Sequence, residues 1–191
     1  MQLNNLKTKF LGQNTFYINT IDSTQSEIWR LYKKQAPTGT LVFADIQTKG
    51  KGTHGRTWHT TQAENIAFSF LINNNFNIEK LDGITIEIAE IIVDIFKRKY
   101  NIQIKIKKPN DLIYNNKKLG GILTETKILG TQVTCIVIGI GINTNQIEFP
   151  EDIKNTATSI KKEFNITVDT KEFIAEFCNV FEKQFIERMK K

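Results

Sequence analysis

The chain has few of the residues that mark secreted, membrane-spanning or zinc-stabilised proteins. Its 191 residues include two cysteines, two histidines and three prolines. Cys135 and Cys178 lie within apolar strand-like and helix-like patterns, so we interpret both as small buried hydrophobes and expect neither a disulfide nor a structural zinc site. No apolar run approaches the roughly 20 residues of a membrane span, and residues 1–10 lack the apolar centre of a signal peptide. We expect a cytoplasmic protein with no membrane partner.

Linker-like segments are also missing. No internal repeat, low-complexity tract or Pro/Gly-rich boundary divides the sequence, so residues 1–191 are predicted to form a single domain. The net charge of +6 is compatible with nucleic-acid binding. Much of the basic excess, however, falls near residues 49–56 and 105–118. We therefore expect a cationic pocket for small anions rather than a nucleic-acid surface.

Regular apolar patterns predict an α+β fold, with a mixed, largely antiparallel β-sheet and helices packed on it. Strands are predicted over residues 16–19, 41–48, 65–72, 103–107, 111–114, 118–125 and 134–142. Helices are predicted over residues 25–35, 78–100 and 169–189. Thr24 and Glu27 have the spacing of a capping box at the first helix. A phenylalanine every fourth residue from Phe173 to Phe185 predicts a core-facing stripe on the last helix, which Asp169 is predicted to cap. Asn115-Asn116 predicts a tight turn between two strands, and the nearly continuous β-branched run at 134–142 predicts a central strand buried on both faces.

A basic, glycine-rich segment, Gln-Thr-Lys-Gly-Lys-Gly-Thr-His-Gly-Arg-Thr-Trp, occupies residues 47–58. Glycines permit positive φ and close backbone approach, so such a loop can surround an anion with N–H groups while Lys51 and Arg56 supply charge. By itself the segment is equally compatible with a solvated surface turn. It lacks the Gly-Lys-Ser/Thr ending of a P-loop and the spacing of a dinucleotide fingerprint.

Four further motifs accompany this loop in order. They are Asp-Ser-Thr-Gln at 22–25, Lys-Lys-Pro-Asn-Asp at 107–111, Lys-Leu-Gly-Gly-Ile-Leu-Thr-Glu at 118–125, and Ile-Val-Ile-Gly-Ile-Gly-Ile-Asn-Thr-Asn at 136–145. Together the five resemble the catalytic domain of biotin protein ligases, over about residues 14–188. The resemblance implies the class II synthetase-like fold of biotin and lipoate ligases. Some relatives carry an N-terminal DNA-binding domain and a small C-terminal barrel, and we expect neither in this chain.

The resemblance implies a two-step reaction. The carboxylate of biotin attacks the α-phosphorus of ATP, giving biotinyl-5′-AMP and diphosphate, and Mg²⁺ bridges phosphate oxygens. A lysine of a biotin carboxyl carrier protein domain, as in acetyl-CoA carboxylase, then attacks the adenylate and releases AMP. The implied protein is a monomer or a homodimer.

Site residues follow from the same resemblance. The positions implied to contact biotin are Ser23, Thr24, Gln47, Gly50, Lys51, Gly52, Lys118, Gly120 and Gly121. The positions implied to contact the nucleotide are Lys51, Arg56, Trp58, Lys107, Asn110 and Asn143. Lys118, Asp111 and Arg56 are the implied catalytic residues, with Lys118 neutralising the reacting anions and Asp111 acting as a metal ligand or as a base for the incoming amine. Ser23 and Thr24 are also candidate helix caps, and the two roles are compatible.

The sequence departs from the family pattern at four positions. Lys51 replaces an arginine, Thr53 and His54 replace paired arginines, and Lys108 replaces a tryptophan. Lysine cannot bind a phosphate bidentately, so the loop is expected to hold the adenylate less tightly. Two alternatives are a lipoate or octanoate protein ligase and a non-catalytic biotin-binding module. The loop at 47–58 does not match the Arg-Arg-x-x-Gly-Gly-Gly form of lipoate ligases, which favours biotin.

Overall fold

The computed structural model describes residues 3–60 and 64–190. The predicted domain over residues 1–191 therefore includes six residues that lie outside the described part. The strands are β1 (Thr15–Ile21), β2 (Leu41–Gln47), β3 (Gly50–Lys51), β4 (Thr57–Trp58), β5 (Asn65–Ile72), β6 (Phe76–Asn77), β7 (Lys105–Lys107), β8 (Asp111–Tyr114), β9 (Lys117–Leu129) and β10 (Gln132–Asn143). The α-helices are α1 (Thr24–Lys33), α2 (Ile84–Tyr100), α3 (Ile160–Phe164) and α4 (Thr170–Lys190).

The main sheet has the strand order β1-β2-β5-β10-β9-β8-β7, and β6 pairs with one end of β10. Only β1 and β2 are parallel, whereas the other pairs are antiparallel. The prediction of a mixed, largely antiparallel sheet is confirmed. The continuous β-branched run in β10 explains its central place, because a strand covered on both faces buries nearly every side chain.

Helices cover both faces of this sheet. On one face, α2 and α4 pack their apolar stripes over alternate residues of β5 and β10. The Phe177 ring on α4 lies 5.4 Å from the Phe68 ring, and Phe181 lies 5.1 Å from Phe70, both as edge contacts. The phenylalanine stripe is therefore core, as predicted. On the opposite face, α1 packs Ile28 among residues that include Val137.

Two helix starts differ from the sequence-based prediction. The segment at 78–81 forms a short 3-10 turn, and α2 begins only at Ile84 because Gly83 adopts a left-handed conformation, with φ of 73°. The capping box assigned to Thr24 and Glu27 is wrong. Ser23 is the N-cap of α1 and accepts a hydrogen bond from the Ser26 N–H at 3.4 Å, which leaves the Thr24 hydroxyl for contacts outside the helix.

Several local predictions are confirmed. Asn115 and Asn116 form the β8–β9 turn with φ of 46° and 62°, which asparagine tolerates better than most residues. Asp169 accepts a hydrogen bond from the Glu172 N–H at 2.8 Å at the start of α4. Cys135 and Cys178 are free and buried, and burial raises the pKa of the Cys135 thiol to about 12. The two short strands β3 and β4 and helix α3 were not predicted.

Within residues 3–60 and 64–190, no helix is both long enough and apolar enough to cross a membrane.

Candidate active site

A small cavity of about 40 Å³ lies on the face of the sheet that α1 covers. Its floor is the backbone of three glycines, Gly121 on β9 and Gly139 and Gly141 on β10. Its walls come from the first turn of α1, from Gln47 at the end of β2, and from the segment that links β2 to β4. The cavity therefore collects residues from all five motifs, because Asn110 also lines it.

The glycines keep this part of the sheet free of side chains. Gly121 and Gly141 are direct neighbours across the β9–β10 pair. A Cβ at Gly139 would lie 2.5 Å from Gln25 Oε1, and a Cβ at Gly141 would lie 2.5 Å from the Trp58 ring. Because real Cβ contacts are longer, no other residue fits at either position without displacing these groups.

Polar groups at the start of α1 form a buried network beside the floor. Gln47 Oε1 accepts hydrogen bonds from the Thr24 N–H at 2.8 Å and from the Thr24 hydroxyl at 3.1 Å. The Thr24 and Ser69 hydroxyl oxygens are 2.9 Å apart. Ser23, Thr24 and Ser69 are each at most 3% exposed. Fixed hydroxyl and amide groups of this kind suit a ligand whose ring carries hydrogen-bonding atoms.

Lys118 and Asp111 form an ion pair at one side of the cavity. Lys118 Nζ donates to Asp111 Oδ1 at 2.6 Å, and a Cβ at Gly121 would lie 3.4 Å from the same Nζ. The backbone of Lys118 is fixed from the other side, where its N–H donates to the Thr156 carbonyl at 2.7 Å and its carbonyl accepts from the Thr158 N–H at 2.9 Å. The ammonium group is thus held beside the glycine floor while 35% of the side chain stays exposed.

The glycine-rich segment folds back over the cavity as a hairpin. Gly50 pairs with Trp58 and Lys51 pairs with Thr57 in the two-stranded β3–β4 sheet, and the Gly52 N–H donates to the Arg56 carbonyl at 2.7 Å. The Trp58 ring lies against Gly141. Its Nε1 is buried and has no hydrogen-bond partner among the described residues. Trp58 is therefore the inner face of a cover over the glycine floor.

A second cavity, of about 230 Å³, lies on the other side of Trp58. Its walls are formed by the β3–β4 hairpin, by the end of β10 at Asn143 and by the segment from Ile153 to Ala157. Four residues border both cavities, namely Gly52, Thr53, Trp58 and Lys118. Among these four residues, Lys118 is the one with a charged side chain. Because it borders both cavities, its ammonium group lies where ligands of the two cavities would meet.

Most predicted site residues border one of the two cavities. The first contains Ser23, Thr24, Gln47, Lys51, Gly52, Trp58, Asn110, Lys118 and Gly121, and the second contains Gly52, Arg56, Trp58, Lys118 and Asn143. Asp111 joins them through its ion pair with Lys118. Asn110, a predicted nucleotide contact, borders the first cavity and not the second, and its Nδ2 donates to the Ile122 carbonyl at 3.1 Å.

Besides Asp111, three predicted residues border neither cavity. A Cβ at Gly120 would lie 2.8 Å from the Gly141 carbonyl, so Gly120 permits close packing of β9 on β10. Gly50 faces the Trp58 carbonyl inside the hairpin. Lys107 is exposed at the edge strand β7. Asn143 borders the second cavity, but its Nδ2 donates to the Thr158 carbonyl at 3.1 Å and so holds the wall in place.

The structure adds residues that the motifs did not single out as ligand contacts. Gly139 and Gly141 belong to the floor of the first cavity. Two glycines interrupting a continuous β-branched strand are the signal that favours a ligand-facing surface. Gln25, the last residue of the motif at 22–25, and Ser69 also line the first cavity, and no pattern in the sequence identifies Ser69.

We expect the segment Lys49–Arg56 to become better protected from hydrogen exchange when biotin and ATP bind. The segment is mostly exposed, and its Arg56 side chain contacts only Thr53 within the described chain. Anionic ligands between the two cavities would give its cations and N–H groups partners that slow local opening. Equal exchange rates with and without ligands would show that this segment does not cover the site.

The structure is thus an α+β domain with a glycine-floored pocket, a basic glycine-rich cover and a lysine between two cavities. The Biotin/lipoate A/B protein ligase family matches residues 17–143. The chain belongs to this family.

Individual relatives agree with this assignment. The bifunctional ligase/repressor BirA of Bacillus spizizenii is 37% identical over 186 residues, which cover 96% of this chain and 57% of that protein. BirA of Bacillus subtilis is 36% identical over the same extent. The structure of biotin protein ligase from Aquifex aeolicus in complex with biotin and ATP has a TM-score of 0.73 at 30% identity and covers 94% of this chain and 71% of that one. The chain thus spans little more than half the length of the two Bacillus relatives.

Proposed function

We propose that the protein is an ATP-dependent biotin–protein ligase, which forms biotinyl-5′-AMP and transfers biotin to a lysine of a carrier protein. The observation that supports this most directly is the position of Lys118, which borders both the glycine-floored cavity and the larger cavity beyond Trp58. Biotin is assigned to the first cavity and ATP to the second. Their reacting groups then meet at the ammonium group.

In the first step, a carboxylate oxygen of biotin attacks the α-phosphorus of ATP and diphosphate leaves. Both reactants are anions, so bringing them together requires positive charge and fixed orientation. Lys118 supplies charge between them, and Arg56 supplies a second cation on the wall of the larger cavity. The ion pair with Asp111 holds Lys118 in position before the substrates arrive.

In the second step, the amine of an acceptor lysine attacks the acyl carbon of the adenylate and AMP leaves. The attacking amine must lose a proton, and Asp111 is the carboxylate nearest to Lys118 that can orient the amine or accept that proton. The proposed acceptor is a biotin carboxyl carrier protein domain of a biotin-dependent carboxylase. Enclosure of the adenylate by the β3–β4 hairpin would limit its hydrolysis.

ATP is proposed to enter as its magnesium complex. Mg²⁺ in nucleotide sites is bound by one or two carboxylates together with phosphate oxygens and water. Asp111 provides one carboxylate at this site. No cluster of three or more His, Cys, Asp or Glu side chains suited to a metal occurs in the described ranges. The residues present therefore fit an ion carried in by the nucleotide.

The remaining assignments concern the whole protein. We infer one catalytic domain over residues 1–191, which is supported by a core cluster that joins Leu3 near the start of the chain to Phe185 near its end. Cytoplasmic location and a monomeric or homodimeric state remain part of the proposal. The basic residues at the site suit small anions, so neither nucleic acid nor membrane is proposed as a partner.

A lipoate or octanoate ligase is the main alternative within the family. The amide and hydroxyl groups of Thr24, Gln47 and Ser69 favour biotin, because a dithiolane ring or an alkyl chain offers them no hydrogen-bonding partner. A non-catalytic biotin-binding module is the second alternative. Such a module would bind biotin but would not convert ATP to AMP and diphosphate, which distinguishes it from a ligase.

The test is diphosphate release by the purified chain with MgATP and either biotin, lipoate or octanoate, combined with mass spectrometry of the retained product. We expect diphosphate release and biotinyl-5′-AMP with biotin only. Release that depends on lipoate but not on biotin would contradict the assignment, and biotin binding without release would identify a binding module.

The adenylate is expected to dissociate more slowly from the Thr53→Arg variant. Thr53 borders both cavities and lacks charge, so an arginine there adds a charge-assisted hydrogen bond to the α-phosphate. Such a bond contributes about 1.5 kcal/mol, or roughly tenfold in the dissociation rate. The measurement is ATP-dependent labelling of bystander lysines, which should fall. Thr48→Arg adds the same charge at an exposed position outside both cavities and should leave labelling unchanged.

A further inference from the structure

His59 and Asp152 join two walls of the second cavity and have no role in the reaction described above. His59 borders the cavity from the side of the cover, and Asp152 directly precedes the opposite wall, which runs from Ile153 to Ala157. The His59 Nε2 lies 3.7 Å from a carboxylate oxygen of Asp152. Within residues 3–60 and 64–190, no other ion pair connects these two walls.

The backbone on either side of His59 is fixed to the protein. Trp58 pairs with Gly50 in the β3–β4 hairpin, and the Thr60 hydroxyl oxygen accepts a hydrogen bond from the Gln47 N–H at 2.7 Å. The His59 side chain therefore projects from an anchored segment, and 41% of it is exposed.

The opposite wall is anchored separately. The Lys118 N–H on β9 donates to the Thr156 carbonyl at 2.7 Å, and the Ile153 N–H closes a turn by donating to the Pro150 carbonyl at 3.0 Å. Asp152 lies within that turn, and 66% of its side chain is exposed. One ion pair thus connects two segments that are fixed to different parts of the sheet.

The second cavity is too small for a nucleotide while these walls stay together. Its volume is about 230 Å³, whereas pockets that enclose small-molecule ligands measure about 300–1,000 Å³. ATP consists of a base, a sugar and three phosphates, so the walls have to separate for it to enter. They have to separate again for AMP to leave. The ion pair between His59 and Asp152 opposes each of these movements.

We propose that His59 and Asp152 form a pH-sensitive latch that slows nucleotide exchange at the second cavity. This inference rests on the proposed function, which assigns ATP to that cavity. Histidine is the side chain whose charge ordinarily changes within the physiological pH range. Protonated His59 attracts the Asp152 carboxylate and holds the walls together, whereas neutral His59 does not. Exchange is therefore slow at low pH and fast at high pH.

Other charged groups near His59 act differently from Asp152. Arg56 and Lys118 border the same cavity and repel a protonated imidazole. Glu151 is engaged by Lys154, whose Nζ lies 2.6 Å from its carboxylate. Asp152 is thus the carboxylate that the latch requires.

A direct contact between His59 and the phosphates of ATP would also depend on pH, but its signature differs. Such a contact forms only in the complex, so it changes the dissociation rate and the affinity. It also survives the removal of Asp152. A latch that closes both the free and the bound protein slows association and dissociation together, leaves the affinity nearly unchanged, and needs both residues.

The experiment measures association and dissociation rate constants by stopped-flow fluorescence of Trp58, which borders the cavity. The ligand is the α,β-methylene analogue of ATP with saturating biotin, because diphosphate cannot leave from this analogue. For wild type we expect both rate constants to be about threefold lower at about pH 6 than at about pH 8, the scale of an exposed ion pair. His59→Gln and Asp152→Asn should both show the fast rates at each pH. Titration of the ligand phosphates is common to all proteins and cancels in the comparison.

Glu151→Gln is the matched control. It removes the neighbouring carboxylate, which pairs with Lys154 instead of His59, so it should keep the pH dependence of wild type. Because the side chains of His59 and Asp152 are both partly exposed, their replacement leaves the core intact. Thermal unfolding of each variant checks that it is folded.

Failure of this inference is separable from failure of the proposed function. Wild type that binds neither biotin nor the ATP analogue contradicts the function itself. Binding with the same rates in wild type and His59→Gln at about pH 6 overturns only the latch. A pH dependence that persists in Asp152→Asn also overturns the latch and identifies a direct contact between His59 and the nucleotide.

Discussion

Lys118→Ala is expected to slow biotin adenylation by about 2–4 kcal/mol of transition-state stabilisation, or roughly 30- to 1,000-fold. The ammonium group borders both cavities, so its charge acts where the carboxylate and the α-phosphate approach each other. Negative charge on the phosphate oxygens persists in the transition state, and the alanine side chain has no positive charge or hydrogen-bond donor to stabilise it. The measurement is the single-turnover rate of biotinyl-5′-AMP formation at saturating biotin and MgATP.

Biotin binding without ATP should weaken much less in this variant. The polar network of Thr24, Gln47 and Ser69 lies at the α1 side of the cavity and does not include Lys118. Loss of Lys118 also leaves Asp111 without its ion-pair partner, which adds some repulsion toward the biotin carboxylate. A large loss of rate with a small loss of binding therefore identifies a group that acts in the chemical step.

Lys117→Ala is the matched control for this prediction. Lys117 is adjacent on β9 and has the same charge, but it borders neither cavity. Its removal should change the rate by less than about twofold. Adenylation at the wild-type rate by Lys118→Ala, or equal losses in both variants, would show that Lys118 has no specific role.

The features that sequence predicts well are those set by local patterns. The β-branched run of β10 predicts a central strand because no other environment buries so many branched side chains at once. The Asn115–Asn116 pair predicts its hairpin because the turn needs positive φ at both residues. The motif at 118–125 predicts Lys118 as a site residue. Asp111 lies on the neighbouring strand of the same β8–β9 hairpin, so the local pairing brings the two predicted residues together.

The site features that the sequence does not predict depend on contacts between distant segments of the chain. Gln25 and Glu125 are one hundred positions apart, and only the packing of α1 on the sheet brings them to 2.9 Å. The wall from Ile153 to Ala157 has no regular pattern, yet it runs beside Lys118 through backbone hydrogen bonds. The capping box at the start of α1 was misassigned because the Thr24 hydroxyl bonds to Gln47 and Ser69, from distant segments, and Ser23 caps the helix.

The largest loss of stability is expected from the phenylalanine stripe, at a residue remote from the reacting groups. Phe177 is fully buried, and its ring centroid lies 5.4 Å from that of Phe68, 6.0 Å from that of Phe70 and 5.7 Å from that of Phe181. Phe177→Ala removes these contacts and leaves a cavity between α4 and the sheet. We expect a loss of about 3–5 kcal/mol in the free energy of unfolding, or about 6–20 °C in the midpoint of thermal unfolding.

Two further variants make this prediction specific. Phe177→Leu fills part of the cavity and should lose much less than alanine, which keeps the comparison informative if Phe177→Ala does not fold. Lys183→Ala, at an exposed position on the same helix, should change the unfolding free energy by less than about 0.5 kcal/mol. Below its unfolding midpoint, Phe177→Ala should form the adenylate at close to the wild-type rate per folded molecule, because α4 and the glycine floor lie on opposite faces of the sheet. A stable Phe177→Ala protein with a greatly reduced rate would show instead that the stripe serves the site rather than the core.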